Sequence, residues 1–163
     1  MATPDSAGGT TPVDFLQAAW TTPEPHEIFR DEHLGILIVP DVKPFVVEGQ
    51  VLVVARQESW RAMTPLLIAR FYLAGELVCE ELEAAYNPER KSSLQRFGND
   101  AGTPHLICFP RNDVADGSSA YDKSRPKATD EQLARTQARM QEQFRMSDFA
   151  GRLHRELGSI AQR

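Results

Sequence analysis

The chain has no apolar run long enough to cross a bilayer. Its longest, Leu34 to Val39 and Gln50 to Ala55, fall far short of the roughly 20 residues a membrane helix needs. It also has no excess of positive charge: 18 Lys and Arg stand against 23 Asp and Glu, a formal net charge of −5. That excludes a protein that grips nucleic acid by bulk positive charge. A small nucleotide needs only a local pocket and is not excluded. Cysteine is scarce, with Cys79 and Cys108 far apart in apolar surroundings and no CxxC pair. They read as buried, reduced thiols of a cytoplasmic protein, not as zinc ligands. Of the four histidines, His26 and His33 are closest in sequence, and alone they make no metal set. There is no Walker loop, GxGxxG, GxSxG or HExxH pattern. The small, polar stretch from Met1 to Thr11 has no apolar core, so no targeting segment is expected.

What remains is a 163-residue chain with 41% hydrophobic residues, enough for one compact domain with a real core. Val13 to Trp20 reads as a short helix stopped by Thr21, Thr22 and Pro23. Glu27 to Arg30 is a short strand candidate. Leu34 to Val39 and Gln50 to Ala55 are β-branched and leucine runs bounded by Pro40 and by Glu48-Gly49, the pattern of buried strands. Their short connection makes an antiparallel pair the simplest arrangement. Thr64-Pro65 opens the strongest helix, with Thr as cap and Pro at the first turn. Leu67, Phe71, Ala74, Val78 and Leu82 recur on one of its faces, and Asn87-Pro88 ends it.

Ser92 to Phe97 and His105 to Phe109 are further strands around the loop Gly98 to Gly102. Residues 111–128 are polar linker. Thr129 and Gln132 have capping-box spacing before a charged helix, which Ser147-Asp148 breaks ahead of a second helix to Ile160. Segregated strands and helices with hairpin-like links predict an α+β fold. It would have an antiparallel sheet of about five strands, one long packed helix and a C-terminal helical extension.

Three local motifs, in this order of elements, resemble the histidine triad family. Ile28-Phe29-Arg30-Asp31 is similar to the family's opening I-F-x-D strand. Asp41-Val42-Lys43-Pro44 followed by Gly49-Gln50-Val51-Leu52-Val53 is similar to D-x-x-P and G-H-x-L-V, with Gln50 in the histidine's place. The loop Gly98 to Gly102, then His105, then Pro110-Arg111, is similar to the glycine loop and the proline-arginine that flank the triad. The resemblance covers residues 27–111. It implies a domain over 23–112, with a flexible tail and short helix at 1–22 and a linker and helical extension at 113–163.

The resemblance implies a nucleotide site at the sheet. Phe29 and Val42 would pack on a purine base, and Asp41, beside Gln50, would accept the ribose hydroxyls. Asn99 and Thr103 would lie near the phosphate. It implies a homodimer, to which the helix 64–86 could contribute, and neither metal nor redox cofactor. Read without it, Asp41 is a turn residue before Lys43-Pro44 that caps local backbone, and Phe29 is plain core.

The family's H-x-H-x-H places three histidines on one strand face, because a strand repeats every two residues. Here one remains. Counting back from Pro110-Arg111 puts His105 in the middle, nucleophilic place, with Thr103 and Ile107 in the outer ones. Counting forward from the glycine loop puts His105 first. Three roles stay open for it: nucleophile, phosphate contact without turnover, or a strand histidine with no ligand. The corresponding functions are a nucleotidyl hydrolase or transferase, a binding or sensor protein, and a scaffold using its tail 129–161 to hold partners.

Overall fold

The computed structural model describes residues 12–21, 25–42, 49–86, 92–98, 103–110 and 127–160. Helix α1 (Pro12–Thr21) precedes strands β1 (Phe29–Asp31), β2 (Ile36–Pro40) and β3 (Val51–Ala55). A 3-10 turn (Trp60–Ala62) leads into the long helix α2 (Pro65–Tyr86). Strands β4 (Ser93–Phe97) and β5 (His105–Phe109) follow, then helices α3 (Asp130–Met146) and α4 (Phe149–Ile160). The five strands form one sheet in the order β1-β2-β3-β5-β4, and every neighbouring pair is antiparallel. The expected α+β fold is the observed one. The 3-10 turn was not legible in the sequence, being too short to show a period.

Both faces of the sheet are covered, which explains why β2 and β3 are apolar at every position rather than alternating. On one face Ile36, Ile38, Val51, Val53, Leu106 and Cys108 pack against α2, α3 and α4. On the other, Leu37, Val39, Leu52, Val54, Ile107 and Phe109 pack with Leu16, Ala19 and Trp20 of α1. Helix α2 comes unusually close to the sheet at Gly75. A Cβ there would stand 2.6 Å from side-chain carbons of both Leu106 and Leu94, so glycine is what the close approach requires.

The C-terminal helices belong to the main core. Thr129 and Gln132 form the expected reciprocal capping box at the start of α3, and the chain reverses at Ser147 and Asp148. Phe144 and Phe149, on either side of that reversal, stack with ring centroids 3.9 Å apart. Met140, Phe144, Phe149, Leu153 and Leu157 are all buried against the sheet and α2. Polar ties reinforce the packing. Glu81 of α2 is buried and accepts from Gln143 Nε2 at 2.7 Å and from Arg152 at 3.5 Å. Gln137 and Gln141 both donate to the Glu27 carbonyl, at 2.9 and 3.1 Å.

Candidate functional site

Strand alternation decides which candidate residues can meet. In β5, Ile107 and Phe109 face α1, so His105, two residues before Ile107, lies on the same side. It pairs with Val54, also on that side. Asp41 and Gln50 continue the β2–β3 ladder beyond Pro40 and Val51, and the Asp41 N–H donates to the Gln50 carbonyl at 3.1 Å. By the same parity, following Leu37 and Val39 on one strand and preceding Leu52 and Val54 on the other, they too face α1. Both are buried, and Gln50 Nε2 donates to Asp41 Oδ2 at 3.5 Å. Gly49, with φ of 98°, turns the chain into this position and lies against the Tyr86 ring.

The β3–β5 register places Gln50 level with Phe109. His105 is therefore four residues further along, about 13 Å at the rise of an extended strand. The candidate site is a strip of sheet with Asp41 and Gln50 at one end and His105 at the other. Phe109 stands level with Gln50, and Leu52 and Ile107 lie between the two ends.

At the histidine end, His105 Nδ1 is 2.9 Å from the Thr103 carbonyl oxygen. A carbonyl only accepts, so this bond puts the ring proton on Nδ1 and the lone pair on Nε2. Thr103 is 1% exposed, and its hydroxyl Oγ1 is buried with no hydrogen-bond partner. Buried hydroxyls are normally satisfied, so Thr103 Oγ1 beside His105 is an exception among the buried polar groups.

No family model and no curated protein matches the chain. Solved structures do. The chain is similar to a zinc-bound histidine triad family protein from Mycobacterium smegmatis, with 15% identity over 87% of this chain and 99% of that one and a TM-score of 0.63. It is similar to a Hit-like protein involved in cell-cycle regulation from Bartonella henselae, crystallised with an unknown ligand, at 12% identity, 79% and 93% coverage and a TM-score of 0.61. A third is a hypothetical histidine triad nucleotide-binding protein from Sulfolobus tokodaii, at 16% identity, 80% and 91% coverage and a TM-score of 0.58.

The fold is the histidine triad fold.

Within this histidine triad fold, the sheet face toward α1 gathers Asp41, Gln50 and His105, with Thr103 next to His105. Val42 is half-buried beside Asp41. Asn99 lies outside the described residues. Phe29 does not join them. It pairs with Ile38, which faces α2, and its ring meets Phe144 and Phe149 edge-on at 6.1 and 5.3 Å. One residue's parity puts it on the opposite side of the sheet. The other histidines also lie elsewhere. His154 Nε2 is 2.7 Å from Asp31 of β1, His26 is 3.9 Å from Asp130 of α3, and His33 is exposed in the β1–β2 turn. Among the described residues, no three His, Cys, Asp or Glu converge as a metal site.

Sequence reasoning gave α1 no part in the site, yet it covers this face. Trp20 Nε1 donates to the Ala55 carbonyl at 3.1 Å, and Arg30 donates to the carbonyls of Ala19 and Trp20 at 2.7 and 3.2 Å. The cation satisfies the free carbonyls at the helix C-terminus. The hydrogen bonds that Arg30 donates to the Glu27 carboxylate raise the Arg30 pKa. The signal was present in the spacing of Leu16, Ala19 and Trp20, an apolar stripe with no assigned partner.

Proposed function

We propose that the protein binds a purine nucleotide on the sheet face that carries Asp41, Gln50 and His105, with α1 displaced from it, and cleaves or transfers its nucleotidyl group through His105. The observation that carries this is the 2.9 Å bond from His105 Nδ1 to the Thr103 carbonyl, which aims the Nε2 lone pair as a nucleophile needs. Nε2 attacks the α-phosphorus, an N–P bond forms, and the bond to the leaving group breaks with its electron pair going to that group. Water then attacks phosphorus, releasing the nucleoside monophosphate and the free imidazole. Asp41 accepts the ribose hydroxyls, with Gln50 holding its carboxylate. Val42 contacts the base, while Thr103 and Asn99 attend the phosphate. Substrates of this chemistry are adenosine phosphoramidate, dinucleoside polyphosphates and related esters. The reading takes the protein as cytoplasmic and, like many proteins of this fold, as a homodimer. The apolar face of α2 is committed within the chain, so such a dimer would use other surfaces.

A second reading is a binding or sensor protein without turnover. It is favoured by Ile107, which stands two residues past His105 and can neither donate nor accept a side-chain hydrogen bond. One experiment separates the two. Wild type and His105→Ala are incubated with adenosine phosphoramidate and diadenosine polyphosphates, and AMP release is followed by chromatography. Release by the wild type, lost in the variant, is expected. No release by either at high protein concentration, with nucleotide still bound by calorimetry, moves the assignment to the sensor.

A further inference from the structure

Helix α1 lies on the sheet face that carries the proposed nucleotide site. Leu16 and Ala19 are buried there and pack with Val39, Leu52, Val54 and Ile107, the apolar rows around Asp41, Gln50 and His105. A nucleotide and the helix cannot occupy this face together.

The helix is fastened at its C-terminal end, and the fastening is next to His105. Trp20 Nε1 donates to the Ala55 carbonyl at 3.1 Å. Ala55 follows Val54, the residue paired with His105, and the Ala55 N–H donates to the Pro104 carbonyl at 3.0 Å. The Trp20 ring has two guanidiniums within cation–π reach, Arg30 at 5.3 Å and Arg56 at 5.0 Å. Arg30 pairs with Leu37, so strand parity turns it to the α1 side, where Glu27 and Glu32 hold it at 2.8 and 3.1 Å. Leu16 and Trp20 are four residues apart and share one face of the helix.

The two faces of the sheet are held unequally. A ten-residue helix has little stability of its own in water, so α1 is helical because it is docked. Among its described side chains, Leu16 and Ala19 are the buried ones. On the other face α2, α3 and α4 bury Phe71, Leu82, Met140, Phe149 and Leu153, among others. Local opening begins where the fewest apolar side chains are buried, and that is the α1 side.

We propose that α1 is an autoinhibitory strap: it leaves the sheet as a unit, Trp20 is its latch, and a nucleotide binds the open form alone. This rests on the nucleotide reading above. The apparent nucleotide affinity is then the intrinsic affinity reduced by the fraction of open chains.

The test uses the full chain. Ala19→Cys is labelled with iodoacetamide, with Cys79 and Cys108 as internal references because both are buried in the main core. The introduced thiol is expected to react roughly tenfold or more faster than the native pair, and saturating AMP should raise its rate further. A common rate for all three thiols would overturn the proposal, since the helix would then leave only on global unfolding. Slower labelling with AMP would overturn it too, because ligand and closed helix would coexist. Calorimetry with AMP on Leu16→Asp and on the milder Trp20→Phe is the second measurement. Loss of a buried leucine from the closed form should raise AMP affinity roughly tenfold, and loss of the indole donor should raise it less. Unchanged affinity in folded variants, beside a wild type that binds AMP, would overturn the strap and leave the nucleotide site standing. No AMP binding by wild type or variants, with the introduced thiol still reactive, would overturn the nucleotide reading and the inhibition with it.

Discussion

The two cysteines show how much a single residue's surroundings decide. Cys108 sits in β5 on the α2 side, fully buried, and Cys79 of α2 lies beside it. A hydrogen bond involving Cys79, then burial, pushes the Cys108 thiol well above its ordinary pKa. The group therefore keeps its proton in the folded state at pH values where the unfolded chain has lost it. Above an unfolded thiol pKa of about 8.5, the unfolded state binds fewer protons, so stability falls as pH rises from there toward the raised folded value. Below that point the thiol contributes no pH dependence. Two readouts check this. Native protein should resist alkylation by iodoacetamide at neutral pH and react at the rate of unfolding. Replacing Cys108 by Ala should flatten the alkaline part of a urea-midpoint profile. Rapid labelling of both thiols at pH 7 would contradict the burial and the shift together. The sequence made this legible, since two isolated cysteines in apolar strand and helix segments are buried thiols far more often than reactive ones.

Strand β1 marks where element-level reading stops. Its position followed from the strand candidate Glu27 to Arg30. Its register did not. The turn closes through the Asp31 carboxylate, which accepts from the Leu34 N–H at 2.8 Å, and this fixes Phe29 opposite Ile38. A motif assigns a residue to a strand, but only the register assigns it to a face, and a three-residue strand has too few positions to show which face is buried. His105 was easier, because Ile107 and Phe109 extend the same parity through a longer strand that Pro110 terminates. The same limit hid α1, whose apolar stripe was visible while its destination was not. A substitution separates the two roles for Phe29. Phe29→Ala should cost about 3 kcal/mol of stability by removing the ring that meets Phe144 and Phe149 edge-on, measured by urea denaturation. Nucleotide affinity, measured by calorimetry at a temperature where the variant is folded, should stay within twofold of wild type. A tenfold loss of affinity would return Phe29 to the binding site.

At the scale of the whole molecule, the question is whether the C-terminal helices are an appendage or part of the folding unit. The linker composition of 111–128 suggests an appendage, and a partner-holding tail would need its apolar face free. The packing argues the reverse. Met140, Phe149, Leu153 and Leu157 are each at most 1% exposed, and Phe144 is 7% exposed, all against the sheet and α2. Burying a large apolar side chain is worth about 1.5–3 kcal/mol. Five of them approach or exceed the roughly 5–15 kcal/mol by which a domain of this kind is stable. The sum decides the matter against an independent core. A chain ending at residue 126 should show no cooperative thermal or urea transition and should bind the dye ANS, whereas the full chain should unfold in one step with coincident far-UV and tryptophan signals. A truncated chain that still unfolds cooperatively would show that the strands and α2 close their own core, leaving the helical pair available to a partner.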